Sequence, residues 1–262
     1  GGGFEESGRP DVRTALERGC HVFSGLHYFL ADDEEFAELA DEHDGQVVDL
    51  RKPPEDLTVA AGTAGEVDAT VVTTVGTDCS TGKMTTSFEL RDAARERGLD
   101  AAVVPTGQTG VVIEGWGIVI DRVVSDYAAG AVERLVETPV GMDLIVVEGQ
   151  GSLVHPAYSG VTTSILHGSA PDALVMCHEA GRERVHGYES FAIPPPADYA
   201  DLYERMAAPV SDASVVAGAL NTQSLPDDAA ADAVAAYGEA LDAPATDPVR
   251  HGVPDEVLDA IV

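Results

Sequence analysis

Lysine is almost missing from this chain of 262 residues, since Lys52 and Lys83 are the only two among 15 lysines and arginines. Aspartate and glutamate together number 46, so the formal net charge is −31 at pH 7. Such a negative field repels nucleic acid backbones and anionic membrane surfaces, and we therefore expect neither as a partner. Carboxylates dispersed over a chain with so little lysine are typical of halophilic proteins.

Cysteines and long apolar runs are scarce as well. Cys20, Cys79 and Cys177 are odd in number and widely spaced, so they predict neither a disulfide framework nor a zinc site. No run approaches about 18 uninterrupted apolar residues and no basic, apolar leader begins the chain, which predicts a soluble cytoplasmic protein. The chain opens on Gly1-Gly2-Gly3 without a methionine, and because such a turn usually follows a strand we expect further sequence before it.

What the chain does contain is the pattern of a parallel α/β protein. Runs of Val, Ile and Leu without polar alternation predict strands buried on both faces, at 69–75, 101–104, 144–148, 173–177 and 214–220. The predicted helices lie at 83–97, 127–137, 197–206 and 227–241. This alternation predicts a doubly wound parallel sheet between helix layers, with ligands at the carboxyl ends of the strands.

The first sixty residues predict a separate, smaller α/β unit. Its helices and strands are predicted at 11–19, 20–23, 32–43 and 46–50. The segment 53–68 is rich in proline, glycine, alanine and acid, so it is the predicted domain boundary. We therefore expect one domain over 1–60 and a second over 61–262.

A glycine-rich loop follows the first strand of the second domain and opens a helix, which is the context that a phosphate loop requires. Its backbone N–H groups and the helix N-terminus attract phosphate oxygens, and Lys83 adds a full positive charge. The residues assigned to this phosphate site are Gly76, Thr77, Asp78, Cys79, Ser80, Thr81, Gly82, Lys83, Met84 and Thr85. The gap between the glycines is one residue longer than in the usual Walker A pattern, and Met84 stands where a magnesium-binding hydroxyl is expected. The bound phosphate could belong to a nucleoside triphosphate or to coenzyme A.

Two segments resemble dethiobiotin synthetase and its relatives: the loop from Gly76 to Lys83, and the run 144–151, which is similar to that group's V-E-G-x-G segment. The resemblance implies that Glu148 helps to hold magnesium, with Asp78 as a second acidic contact. It also implies that Asn221, at the end of a predicted strand, reads an adenine edge. The alternatives are that Glu148 caps the next turn and that Asn221 serves ordinary turn chemistry.

A closer resemblance, to the DgcN-type family, covers nearly the whole chain. The matching segments are 76–86, 105–110, 148–153 with His155-Pro156, and 177–182. Members have a Rossmann-like N-terminal domain that normally begins with further βα units. Their C-terminal domain is P-loop NTPase-like and carries the phosphate loop. The family includes a D-glutamate N-acetyltransferase that uses acetyl-coenzyme A, and it is also represented in halophilic archaea. The resemblance therefore implies a truncated Rossmann-like domain followed by a P-loop domain.

Polar residues after the other strands are the candidate acceptor and catalytic groups. Those assigned to the substrate are Thr106, Gln108, Thr109, Ser152 and Arg182. The first three lie on a predicted loop. Arg182 is either a ligand for a substrate carboxylate or part of a surface ion pair. His155 is the first candidate base because its ordinary pKa lies near working pH, and Glu148 competes if no metal binds. Cys79 is a weaker candidate nucleophile.

The predicted function is transfer of an acetyl group from acetyl-CoA to a small acidic amino acid, D-glutamate in the first place. A kinase or carboxylate-activating ligase that uses ATP with Mg is the alternative, and a non-catalytic nucleotide-sensing domain is a third. Met84 favours acetyl transfer over metal–ATP chemistry. A homo-oligomer is expected as for most metabolic α/β enzymes.

Overall fold

Two parallel β-sheets organise the chain in the computed structural model, which describes residues 3–262. The strands are β1 Val22–Ser24, β2 Val47–Asp49, β3 Thr70–Gly76, β4 Ala101–Val104, β5 Leu144–Val147, β6 Ala173–Glu179, β7 Ser214–Asn221 and β8 Ala245–Thr246. β1 and β2 pair with each other, and the remaining strands form one sheet in the order β4-β5-β3-β6-β7-β8. Of the opening run Gly1-Gly2-Gly3, on which an expectation was based, Gly1 and Gly2 lie outside the described residues.

Helices connect these strands. They are α1 Arg9–Glu17, α2 Glu34–Glu42, α3 Lys83–Glu96, α4 Gln108–Glu114, α5 Ser125–Val136, α6 Ser159–Ser169, α7 Pro196–Ala207, α8 Asp227–Leu241, α9 Pro248–His251 and α10 Asp255–Asp259. In the part of the chain that the structure describes, no helix combines the length and apolar composition needed to span a membrane.

The larger sheet is buried on both faces, as the unbroken apolar runs predicted. Neighbouring residues of β3 face opposite layers: Val72 packs with Leu90 of α3, and Val71 packs with Val132 of α5. The chain leaves central β3 first toward β4 and β5 and later toward β6 and β7. β3 is therefore the topological switch point, where ligands bind in open parallel sheets.

The predicted fold class, a doubly wound parallel sheet preceded by a Rossmann-like unit, is confirmed. Several elements were not predicted, among them the short β8, α9 and α10 near the C-terminal end of the described chain. The segment around Gln108 was expected to be a loop but contains α4, and α6 lies between β5 and β6. α4 contains Thr109, Gly110 and two valines, and α6 is rich in serine, threonine and glycine, so both have weak local helix propensity. Tertiary packing stabilises α6 instead, since its Ile165 and Leu166 are buried in the core.

The N-terminal unit has a small core of its own. Leu16, Leu30 and Phe36 are buried there between α1, α2 and β1–β2. The guanidinium of Arg9 donates to Asp33, the N-cap of α2, and to Glu35 on α2, and so links the two helices. β2 ends just before Arg51, which reaches the second domain.

Candidate functional site

The phosphate loop joins the end of β3 to the start of α3. Gly82 and Ser80 adopt left-handed backbone conformations, with φ of +101° and +57°. A Cβ atom on Gly76 would lie 2.8 Å from Thr81 Oγ1 and 2.9 Å from Lys83 Nζ. Only glycine at position 76 leaves room for the lysine side chain to fold back over the loop.

Lys83 is a buried cation for which the described part of the chain supplies no ion-pair partner. Its residue is 6% exposed. Its ammonium donates to the backbone oxygen of Asp78 at 2.7 Å, and no carboxylate within residues 3–262 forms a salt bridge with it. Burial accordingly lowers the pKa of Lys83 from its ordinary value. A phosphate over the loop would supply the missing negative charge, so the residues present fit a phosphate group.

Asp78 has a different role from the one expected for a metal ligand. Its carboxylate is fully buried and accepts hydrogen bonds from the backbone N–H of Cys79 at 2.7 Å and of His186 at 2.8 Å. It also forms a salt bridge with Arg182 at 3.1 Å. Because both oxygens are used and a guanidinium lies against one of them, Asp78 does not fit a magnesium ion.

Arg182 is likewise engaged within the protein. Besides Asp78, its guanidinium contacts Glu179 and donates to the backbone oxygen of Cys79 at 2.7 Å. Arg182 therefore forms ion pairs, as one of the two interpretations expected, and the sequence did not reveal Asp78 as one of its partners. Arg182 anchors the segment after β6 to the phosphate loop.

Glu148 follows β5 and points one carboxylate oxygen into the backbone of the β4–α4 connection. Its Oε2 atom accepts from the N–H groups of Thr106 and Gly107, both at 3.1 Å. Oε1 has no hydrogen-bond partner within residues 3–262. Burial raises the pKa of Glu148, and the two N–H groups partly oppose that rise. A Cβ atom on Gly107 would lie 2.9 Å from Oε1, so glycine there keeps this oxygen accessible.

A cavity of about 660 Å³ brings most of the predicted site together and is called the larger cavity below. Its lining includes the loop residues Cys79, Ser80, Gly82, Lys83, Met84 and Thr85, with Gln108, Thr109, Glu148 and Asn221. It also includes residues that the sequence analysis missed, namely His27, Arg51, Asp121, Gln150 and Tyr158. Two of these, His27 and Arg51, come from the N-terminal unit.

A second, smaller cavity of about 420 Å³ adjoins it, because Gly82, Thr85, Asn221 and Gln223 line both. Asn221 ends β7, and its Oδ1 atom accepts from the N–H of Gln223 at 3.0 Å. This hydrogen bond satisfies the turn and leaves the amide Nδ2 of Asn221 available to a ligand. The turn chemistry and the ligand role are therefore compatible in this residue.

His155 lies outside the lining of both cavities. Its Nδ1 atom accepts from the N–H of Ala157 at 3.1 Å, and its ring packs on Tyr158 at 4.4 Å between centroids. Burial lowers the pKa of His155, so the ring is neutral near pH 7. With Nδ1 accepting, the neutral ring carries its proton on Nε2, which makes Nε2 a donor and a poor base.

Six further assigned residues lie outside the lining of both cavities: Gly76, Asp78 and Arg182, described above, and Thr77, Thr106 and Ser152. Thr106 is buried and its hydroxyl donates to the backbone oxygen of Glu148 at 2.6 Å. Ser152 is buried, and its hydroxyl has no hydrogen-bond partner in the described chain. Thr77 is buried beside His178, with 2.7 Å between its Oγ1 and the ring Nδ1. Cys79 does line the larger cavity, but burial raises the pKa of its thiol and so disfavours the thiolate.

Comparison with known protein families identifies the family of this chain. Residues 58–258 match the model of the P-loop domain of DUF1611, a domain of unknown function, and residues 1–53 match the Rossmann-like DUF1611 N-terminal domain. The chain belongs to the DUF1611 family.

Two curated relatives of this DUF1611 protein have an activity in their names. D-glutamate N-acetyltransferase from Pseudoalteromonas sp. is 35% identical over 254 residues, which are 97% of this chain and 76% of the relative. D-glutamate N-acetyltransferase from Tritonibacter scottomollicae is 34% identical over 262 residues, 100% of this chain and 78% of the relative. These names confirm the predicted kinship and support an enzyme of the acetyltransferase-like class.

A solved structure shows the same fold. The crystal structure of a DUF1611 family protein from Anabaena variabilis matches this chain with a TM-score of 0.95 at 40% sequence identity. The match covers 100% of this chain and 76% of that protein.

One signal in the sequence could have identified Arg51 as a site residue of this DUF1611 chain. It comes directly after the predicted strand 46–50, at the end of a parallel strand where ligands bind. The contact of that strand end with the second domain, however, depends on how the two domains dock.

Proposed function

We propose that the chain transfers the acetyl group of acetyl-CoA to the amine of an acidic amino acid, with D-glutamate as the first candidate. The observation that carries the proposal is the kinship with two D-glutamate N-acetyltransferases over 97% and 100% of this chain. Both proposed substrates are anions. The larger cavity offers Lys83 and Arg51 to them in a molecule that is otherwise strongly negative.

The cofactor phosphates would bind to the N–H groups of the phosphate loop and to Lys83. We assign the adenine end to the smaller cavity, beside Asn221, and the thioester end to the larger cavity. The shared lining of the two cavities supports this assignment because a long, thin ligand can occupy both. The acetyl group is then presented near Glu148.

In the proposed reaction the acceptor amine attacks the thioester carbonyl, so that a C–N bond forms and the C–S bond breaks. The amine loses a proton, and the departing thiolate takes one up. Glu148 is the proposed base, because it lines the larger cavity, its Oε1 has no hydrogen-bond partner within residues 3–262, and burial raises its pKa above the ordinary value. The two N–H groups on Oε2 hold the carboxylate in place.

A magnesium–ATP enzyme is the second candidate, and the Asn221 side of the smaller cavity is the observation that favours it. Two features oppose it. Asp78 accepts hydrogen bonds at both carboxylate oxygens and pairs with Arg182, and Met84 offers no hydroxyl. Glu148 is then the remaining acid among the residues assigned to magnesium.

Release of free thiol tests the proposal. The protein in molar potassium chloride is mixed with acetyl-CoA and D-glutamate, and the controls contain L-glutamate or no acceptor. Thiol release that depends on D-glutamate is the expected result. No release above the controls, together with ADP formation from ATP and the same acid, would replace acetyl transfer by the second candidate.

A further inference from the structure

We propose that the N-terminal Rossmann-like domain completes the acceptor site, and that Arg51 selects an acceptor with a side-chain carboxylate. The inference rests on the proposed acetyl transfer and assigns the part of the larger cavity that binds the acidic amino acid. Arg51 acts there with Gln108 of the P-loop domain and His27 of its own domain.

Arg51 is held by partners from both domains. Its guanidinium donates to Asp121 at 2.9 Å and to Gln108 Oε1 at 2.9 Å, both in the P-loop domain. It also contacts the backbone oxygen of Gly25 in the N-terminal unit. The side chain is only 10% exposed. Such an arginine has a fixed plane before any ligand binds, which reduces the entropy lost on binding.

Gln108 receives its orientation from this contact. Because its Oε1 accepts from Arg51, its Nε2 group points away from the guanidinium with two N–H donors. A Cβ atom on Gly25 would lie 3.2 Å from Gln108 Cγ, so glycine permits the close approach of the two domains at this point. Gln108 lines the larger cavity, where its amide donors suit a carboxylate.

The larger cavity also contains the acids Asp121 and Glu148, and Asp121 pairs with Arg51, so its open hydrogen-bond donors rather than its net charge indicate the ligand. Among residues 3–262, Arg51 is the one arginine or lysine besides Lys83 that lines the larger cavity. In the proposed function Lys83 is occupied by cofactor phosphate. One Nη1 hydrogen of Arg51 has no partner within the described chain, and the exposed His27 lines the same cavity. A second carboxylate can accept from these donors with charge assistance, whereas a side-chain amide accepts with a neutral oxygen and so binds more weakly.

The test compares Arg51→Gln with Lys52→Gln, which removes the same charge from the next residue. Lys52 forms an exposed ion pair with Asp32 and does not line the cavity. The acceptors are D-glutamate and D-glutamine. For Arg51→Gln we expect the KM for D-glutamate to rise about 10- to 100-fold and the preference over D-glutamine to disappear. The KM for acetyl-CoA should stay within about twofold, and Lys52→Gln should behave as wild type.

His27→Asn is the second variant, because His27 is exposed and its change does not threaten folding. A severalfold rise in the KM for D-glutamate is expected. Calorimetric titration with D-glutamate in the presence of CoA provides a readout that does not depend on turnover. Undiminished D-glutamate binding and preference in both variants would overturn this inference alone, whereas a wild-type protein that transfers no acetyl group to D-glutamate would overturn the proposed function.

Discussion

Lys83 shows how a binding residue can oppose stability. It is a buried ammonium whose only described hydrogen bond goes to a backbone oxygen, and burial lowers its pKa. A buried charge without a counterion is unfavourable, and function is the reason to keep one. The lysine scarcity that stands out in the sequence therefore points to the residue on which the site depends.

Lys83→Met should separate binding from stability. Methionine fills a similar volume without the charge, so the free energy of unfolding should stay equal or rise by about 1 to 3 kcal/mol. Affinity for CoA, measured by calorimetry, should fall at least about 100-fold because the phosphate loses its cation. Lys52→Met is the matched control and should leave both quantities unchanged. A clear loss of stability in Lys83→Met would contradict the description of Lys83 as a buried, unpaired charge.

Glu148→Gln tests the proposed base against His155. As a base Glu148 must be ionised, so kcat/KM should fall as the pH drops through its pKa, which burial places above the ordinary value for glutamate. Glu148→Gln should lower kcat by about 100-fold or more and abolish this fall of kcat/KM at acidic pH, called the acidic limb below. His155→Gln should keep the limb, since His155 Nδ1 is occupied by Ala157 and the ring lies outside the cavities. A limb that vanishes with His155 instead would assign the base to the histidine.

At the level of elements, the segment after β6 supports the phosphate loop. β6 continues to Glu179, two residues beyond its predicted end, and places Arg182 and the backbone of His186 against Asp78. The loop that carries Lys83 is thus fastened from a neighbouring strand. The ion pair between Arg182 and Asp78 joins residues that lie 104 positions apart in the sequence.

Arg182→Gln should therefore behave as a structural variant. Asp78 would keep two N–H partners but lose its counterion, and we expect a loss of about 3 kcal/mol in the free energy of unfolding, measured by denaturant titration. The exposed Arg184, which donates to the backbone oxygen of Glu189, offers Arg184→Gln as a control with little effect. A higher KM for the acceptor with unchanged stability would instead favour the other sequence-based interpretation, in which Arg182 is a substrate ligand.

The strands β3 to β7 and the phosphate loop were predictable from the sequence because their signals are local, whereas the two-residue β8 was not. An apolar run such as 144–147 can only be a buried strand or a short buried helix, and Gly76, Gly82 and Lys83 have a fixed spacing. α4 was not predictable because its residues have weak helix propensity. The contacts of Arg51 and Arg182 were not predictable either, since both join segments far apart in the chain.

At the scale of the whole molecule, the net charge of −31 acts on every anionic ligand. Acetyl-CoA and D-glutamate must both approach a negative surface to reach the larger cavity. Salt at about 1 M reduces the range of that repulsion to about 3 Å, compared with about 30 Å at 0.01 M. The acidic surface is therefore expected to set the working conditions of the protein without taking part in its chemistry.

Activity should consequently rise with ionic strength. We expect kcat/KM to increase between millimolar and molar potassium chloride, mainly through a lower KM for both anionic substrates. Circular dichroism at each salt concentration separates this effect from unfolding at low salt. Equal kcat/KM across the series, with the fold intact throughout, would refute the expectation.

The central claim is that the phosphate loop and Glu148 together serve N-acetylation of D-glutamate. The most direct measurement is identification of the product by chiral chromatography and mass spectrometry, with wild type, Lys83→Met and Glu148→Gln in molar potassium chloride. The account predicts N-acetyl-D-glutamate in amounts equal to the free CoA from wild type, and very little from either variant. CoA release without the N-acetylated product, or undiminished product from Lys83→Met, would contradict it.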